Sequence, residues 1–160
     1  MLDWSFHPVP QEFAMATIYY HHHTVSHREV RRLLETISDL YGKAVHVTSG
    51  DRNHVPKGGS KTSLHLQKRA ADLFVRGVDL GKTYQDLKIY ISMIFDRKRG
   101  YEVIWHGAYT KTGGPHLHIG VYKNKHAGKV RFKTEGLDAA SRGEYSLDVR
   151  TIPVADPIIK

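Results

Sequence analysis

The sequence predicts an α+β fold in which a small, mostly antiparallel sheet is flanked by helices, and three observations carry that expectation. Two segments, 30–41 and 84–95, repeat apolar residues at three- and four-residue spacing, the period of a helix packed by one face. Four short runs rich in β-branched and aromatic residues, 44–48, 70–75, 101–106 and 115–122, are set apart by turn-forming stretches. With 160 residues, 40% of them hydrophobic, the chain fits one domain with its own core, and no internal repeat or linker divides it.

Taken in order, residues 1–25 carry Pro8, Pro10, several aromatics and the triplet His21-His22-His23 without sustained periodicity, and read as an irregular arm packed on the domain. The triplet reads as an exposed polar run, with metal binding as the sharper alternative. Ser26-His27-Arg28-Glu29 has the Ser-x-x-Glu pattern of a capping box, opening a helix that buries Val30, Leu33, Leu34, Ile37, Leu40 and Tyr41 and ends at Gly42. Residues 44–48 read as a strand, followed by the loop Ser49-Gly50-Asp51-Arg52-Asn53 and a turn-rich link to Gly59, a natural rim for a site. A second helix is expected within 78–99, regular from Thr83, with Arg97, Lys98 and Arg99 in its last turn complementing the helix dipole. Residues 101–106 and 115–122 read as strands joined by a hairpin-like loop, and 123–160 as a basic extension holding a strand or two.

Composition narrows the chemistry. Lys and Arg outnumber Asp and Glu by 24 to 16, a formal charge of +8 that favours an anionic partner: nucleic acid, an anionic cell wall or a membrane surface. With no cysteine, disulfides and thiolate metal sites are excluded, whereas 12 histidines make an imidazole and carboxylate site feasible. No apolar run is long enough to span a membrane. The start Met1-Leu2-Asp3-Trp4-Ser5-Phe6-His7 lacks the features of a signal peptide, so synthesis as a soluble cytoplasmic chain is expected.

The chemistry concentrates in Gly58-Gly59-Ser60-Lys61-Thr62-Ser63-Leu64-His65 and Ala70-Ala71-Asp72-Leu73, where a loop histidine and a strand carboxylate can face one metal ion. Pro115-His116-Leu117-His118 offers a third ligand, since the strand period of two puts His116 and His118 on one face. Two nitrogens and one oxygen, with a fourth position open to water, make up the ligand set of a catalytic zinc (Zn2+) site. The bland alternative is a set of hydrogen-bonded structural histidines.

In order and local wording these pieces, from the helix end Leu40-Tyr41-Gly42 through Val47-Thr48-Ser49-Gly50-Asp51-Arg52 to His116-x-His118, resemble the zinc D-alanyl-D-alanine peptidase family. That family includes phage endolysins and murein endopeptidases and shares its fold with the hedgehog signalling domain. The resemblance spans about residues 26–120 and implies His65, Asp72 and His118 as zinc ligands, with Arg52 holding a substrate carboxylate or polarised carbonyl. This chain departs from the family at Asp51, where an aromatic is usual, at Lys68, where glycine is usual, and in a short 52–58 segment. Pro115 stands where many members carry the acidic general base, so the motif does not name that base here. His116 is the first candidate for oxyanion stabilisation or proton relay, followed by Glu102 and His106 on the preceding strand; Ser63 is either a substrate contact or a loop cap.

The implied function is a zinc metallopeptidase that cleaves bacterial peptidoglycan next to a D-amino acid, as carboxypeptidase or endopeptidase. The implied settings are a phage lysin released through a holin-permeabilised membrane, or an injected toxin with a secretion or immunity partner. The alternative is a non-catalytic, metal-stabilised module binding cell wall or nucleic acid. No helix-turn-helix, zinc-finger or RNA-recognition signature supports a nucleic-acid partner.

Overall fold

In the computed structural model, which describes residues 15–154, seven strands share one sheet. They are β1 (Ile18–Tyr19), β2 (Val45–Ser49), β3 (Ala70–Val75), β4 (Tyr101–His106), β5 (His116–Val121), β6 (Lys129–Glu135) and β7 (Tyr145–Thr151), in the order β1-β2-β3-β5-β4-β6-β7. The sheet is mixed, which corrects the mostly antiparallel expectation: β1 runs parallel to β2, and β4 parallel to β6. After β5 the chain does not return as a hairpin. It crosses the start of β4, where Tyr122 N–H donates to Gly100 O and Gly128 N–H to Arg99 O, each at 2.9 Å. Gly100 permits this crossing, because a Cβ there would collide with the Lys125 carbonyl and His126.

Strand alternation sorts the side chains into two faces. Val45, Val47, Leu73, Val103, Leu117, Ile119, Val130 and Phe132 point to one side and are buried with Leu33, Leu34, Ile37 and Leu87 from the helices α1 (Arg28–Tyr41) and α2 (Leu80–Ile89). The opposite parity, including His46, Asp72, Glu102, His106, His118, Lys133 and Glu135, faces away from the helices. One face makes the core and the other is free to build a site.

Tertiary packing changes the helix ends. The N-cap of α1 is His27 with no capping side chain, so the Ser26 capping box does not form. Glu29 turns inward instead, accepting from Arg32 Nε and Nη2 at 2.9 and 2.6 Å and from the Tyr101 hydroxyl at 2.6 Å. Gly42 closes α1 in the left-handed conformation, φ 59°. The second helix is split into α2, capped by Asp79, and the single turn α3 (Ile91–Ile94). Phe95 is extended so that its ring packs on Tyr101, centroids 4.8 Å apart. Arg97, Lys98 and Arg99 therefore lie in a turn beyond the helix, not in its last turn.

Of the arm, residues 15–25 include β1 on the sheet edge, whereas Pro8, Pro10 and the first residues lie outside the described part, as do 155–160. Residues 129–151 supply β6 and β7 to the same sheet as the ligand strands. Among the described residues no helix is long and apolar enough to cross a membrane.

Candidate metal centre and cleft

Register places the first pair of functional side chains. Asp72 on β3 and His118 on β5 are direct cross-strand partners, and both face away from the helices. His65 is brought over them by the turns between Gly59 and Arg69, which are tied down by Arg52 N–H to His65 O at 3.1 Å and Arg69 N–H to Leu64 O at 2.9 Å. Leu64 anchors the loop by packing with Ala70 and Tyr122. Lys68 closes it at φ 58°, a conformation that glycine takes freely and that costs a side-chain-bearing residue about 1 kcal/mol.

The result is a buried triangle. His65 Nε2 lies 2.9 Å from Asp72 Oδ1, His118 Nδ1 lies 3.1 Å from the same oxygen, and the two nitrogens are 3.1 Å apart. Each ring is oriented by its outer nitrogen. His65 Nδ1–H donates to Gly50 O at 2.7 Å, and His118 Nε2–H to Glu102 Oε1 at 3.1 Å. The three inner atoms are then all acceptors, an arrangement that only a cation or a captured proton stabilises. Metal bonds of about 2.0–2.1 Å in a tetrahedron separate ligand atoms by about 3.3 Å, so the observed edges fit zinc closely. The outer bonds to a backbone carbonyl and a carboxylate are those that fix metal-ligating histidines. Burial alone would lower the His118 imidazole, but the carboxylates of Asp72 and Glu102 outweigh it and push it up to about 9. Although burial opposes it, the Asp72 carboxyl is held well below its usual range by His118 and His65. Metal binding here displaces a proton.

The remaining expected residues stand around this triangle. Arg52 does not hang free: Nη2 donates to Asp72 Oδ2 at 3.1 Å and to Ser49 Oγ at 2.7 Å, and Nε also reaches Ser49 Oγ. Ser63 lines the cleft, and its Oγ accepts from His65 N–H at 3.3 Å. His116 donates Nδ1–H to Gly114 O at 2.7 Å, leaving Nε2 3.6 Å from Asp72 Oδ2. Both oxygens of Glu102 are engaged, by His118 on one side and by Tyr122 Oη at 2.8 Å and Lys133 Nζ at 2.7 Å on the other. Against burial, His118 and Lys133 hold its carboxyl far below the usual range. Glu102 thus has the geometry of a partner to His118. His106 stacks on His116 with centroids 4.5 Å apart, and its Nδ1 lies 3.0 Å from Glu135 Oε2. Burial and the neighbouring His116 lower the His106 imidazole despite Glu135.

Lys133 and Glu135, both on β6, and Tyr122 are contributors that the sequence reading does not find. The signal was the alternation in Lys129-Val130-Arg131-Phe132-Lys133-Thr134-Glu135, which assigns the charged residues to the face bearing Asp72. The site opens into a cleft of about 740 Å³ lined by the 49–63 loops and by 112–116. His23, the last of the triplet, lies on its rim.

The family model described as Peptidase M15 matches residues 9–94, just over half of the chain. That span contains His65 and Asp72 and stops short of β5. No curated protein and no solved structure matches the chain.

Proposed function

The chain belongs to the peptidase M15 family, whose members are zinc-dependent metallopeptidases, and from that premise we propose that it hydrolyses stem or cross-link peptides of bacterial peptidoglycan next to a D-amino acid. The observation that carries the reading is the buried triangle of His65, Asp72 and His118, set at the floor of a cleft large enough for a peptide. A closed structural site would need a fourth protein ligand, and the convergent group among the described residues has three. The fold implied by the resemblance, of hedgehog type, is part of the same proposal.

His65, Asp72 and His118 would hold zinc, which would supply a Lewis acid and lower the pKa of a water at the site toward neutrality. The chain's own residues do the rest. Gly50 O and Glu102 hold the two imidazoles in the ligating tautomer, and Arg52 steadies the outer oxygen of Asp72. Among the described residues Arg52 donates through Nε and Nη2 alone, which leaves Nη1 for a substrate carboxylate or carbonyl. His116, whose Nδ1–H is committed to Gly114 O, offers Nε2 to the reacting centre, where it accepts the water proton and, once protonated, faces the developing oxyanion. The cell wall is the place of action in this proposal, and the positive charge favours approach to an anionic wall.

Mass spectrometry of purified peptidoglycan fragments after incubation with zinc-loaded protein tests the proposal. New amine and carboxyl termini beside a D-amino acid are expected, abolished by a chelator and restored by zinc. Wall binding without any new terminus, at any metal content, would establish the non-catalytic module instead.

A further inference from the structure

The cleft wall beside the ligand triangle is organised on a carboxylate that the metal does not use. Glu135 has no exposed surface. Its Oε1 accepts from Gly143 N–H at 2.8 Å and Lys111 N–H at 3.2 Å, and its Oε2 lies 3.0 Å from His106 Nδ1. Two backbone amides can only donate, so Oε1 is fixed as an acceptor. Against burial, the donors around it, Thr110, His106, Gly143 and Lys111, hold the Glu135 carboxyl down to about 2. An ionised carboxylate has no proton to give from Oε2 either, so the hydrogen between Oε2 and the ring belongs to His106 Nδ1. The lone pair of the neutral ring is then on Nε2, which has no hydrogen-bond partner among the described residues. That ring lines the cleft and stacks on His116.

We propose that Glu135 is a positioning residue that locks His106 in the Nδ1–H tautomer, so that Nε2 stands as a second proton acceptor in the cleft. The acceptor role rests on the peptidase reading; the lock does not. In the reaction His116 takes the first proton of the attacking water; as the scissile C–N bond breaks, the remaining O–H bond breaks and an N–H bond forms at His106 Nε2, giving an imidazolium balanced by the Glu135 carboxylate. The same proton then passes to the departing amine nitrogen, and His106 returns to its neutral form. Because Glu135 also ties Lys111 and Gly143, it holds the loops on either side of His106 in register with the ring.

Glu135→Gln tests this at nearly constant shape. An amide has one acceptor oxygen, which the two backbone N–H groups claim. Its NH2 therefore turns toward His106, donates to Nδ1 and drives the ring proton to Nε2. Imidazole 15N shifts of the zinc-loaded full chain should show Nδ1–H for His106 in the wild type and Nε2–H in E135Q. On peptidoglycan fragments kcat should fall by roughly 10²-fold or more with KM little changed. Thr110 Oγ1 also lies 3.3 Å from His106 Nδ1, so Thr110→Val is the control and should retain Nδ1–H. Nε2–H in the wild type overturns the lock even if E135Q fails to fold, and so does Nδ1–H persisting in a folded E135Q or lost in T110V. A reversed tautomer with unchanged kcat overturns the acceptor role. A wild type that cleaves nothing overturns the peptidase reading, while the 15N shifts still decide the lock.

Discussion

At the scale of single residues, the metal triangle makes separable demands on its ligands and on the groups that hold them. His65→Ala, Asp72→Ala and His118→Ala each remove one of three converging atoms, so each should lower zinc content sharply, as read by elemental analysis of purified protein. Glu102→Gln keeps the shape but weakens the hold on His118 Nε2, and competition with a chelator should show zinc affinity reduced by about 10–100-fold with the fold retained. His116→Ala should keep zinc and lose roughly 10²–10⁴-fold in kcat. Arg52→Ala should raise KM if Nη1 binds substrate equally in ground and transition states, and lower kcat if it meets the developing charge. The candidate ligands were named in the sequence by the order and local wording of the segments that carry them, since His-x-His alone occurs twice in the chain, at 21/23 and 116/118, and neither spacing is specific by itself. Glu102 was legible as a candidate but not as the partner of His118, and Lys133 and Glu135 were legible only as charges, since a charged residue on alternate positions reads equally well as a solvated face. Glu102 and Glu135 are buried and Lys133 half-buried in the folded chain, held by partners distant in sequence, and no local pattern encodes such partners.

At the scale of elements, alternation and helical period did most of the specification, and its failures come from long-range partners. The strands at 70–75, 101–106 and 116–121 are bounded by their own turn residues and stand where the pattern puts them. Glu29, by contrast, suits a capping box locally but is captured by Tyr101, 72 positions away, and by Arg32. This clamp joins α1 to β4 and has a pH signature. Burial opposes ionisation of Glu29, yet the bonds from Arg32 and Tyr101 outweigh it and leave its carboxyl below the ordinary 4.5. The clamp's stabilisation is therefore full above about that pH and is lost as pH falls through the lowered value. Tyr101→Phe should cost about 1 kcal/mol at pH 7, and Glu29→Gln should both lower stability and flatten the acid limb of a urea-denaturation series. An unchanged acid limb in E29Q would mean that other carboxylates govern it. For the hydrophobic contact of the same helix, Leu34→Ala, at a side chain with no exposure, should cost about 2–5 kcal/mol in the same assay.

At the scale of the whole molecule, the net charge of +8 predicts a difference between substrates. Raising salt from low to near-molar concentration should slow attack on intact, anionic walls far more than on small muropeptides, because screening removes long-range attraction but leaves contacts within the cleft. Topology was the least legible level: nothing in the residues between β5 and β6 announces a crossing that makes β6 parallel to β4, apart from a glycine at position 100 whose neighbours are known only once the chain has folded. The pairing of β3 with β5 has a consequence of another kind. Asp72 and His118 are separated by 46 positions, and His65 and His118 by 53, so the expanded chain does not bring the three ligands together. The ion favours the folded ensemble, in which all three ligands converge, which makes it a thermodynamic ballast: at a free concentration of 100 times its dissociation constant it adds up to about 2.7 kcal/mol to stability, less whatever the histidines of the expanded chain bind. Thermal melts should rise with free zinc and fall with chelator, and His118→Ala should be blind to both. Zinc supply would then govern how long each molecule survives, as well as how fast it works.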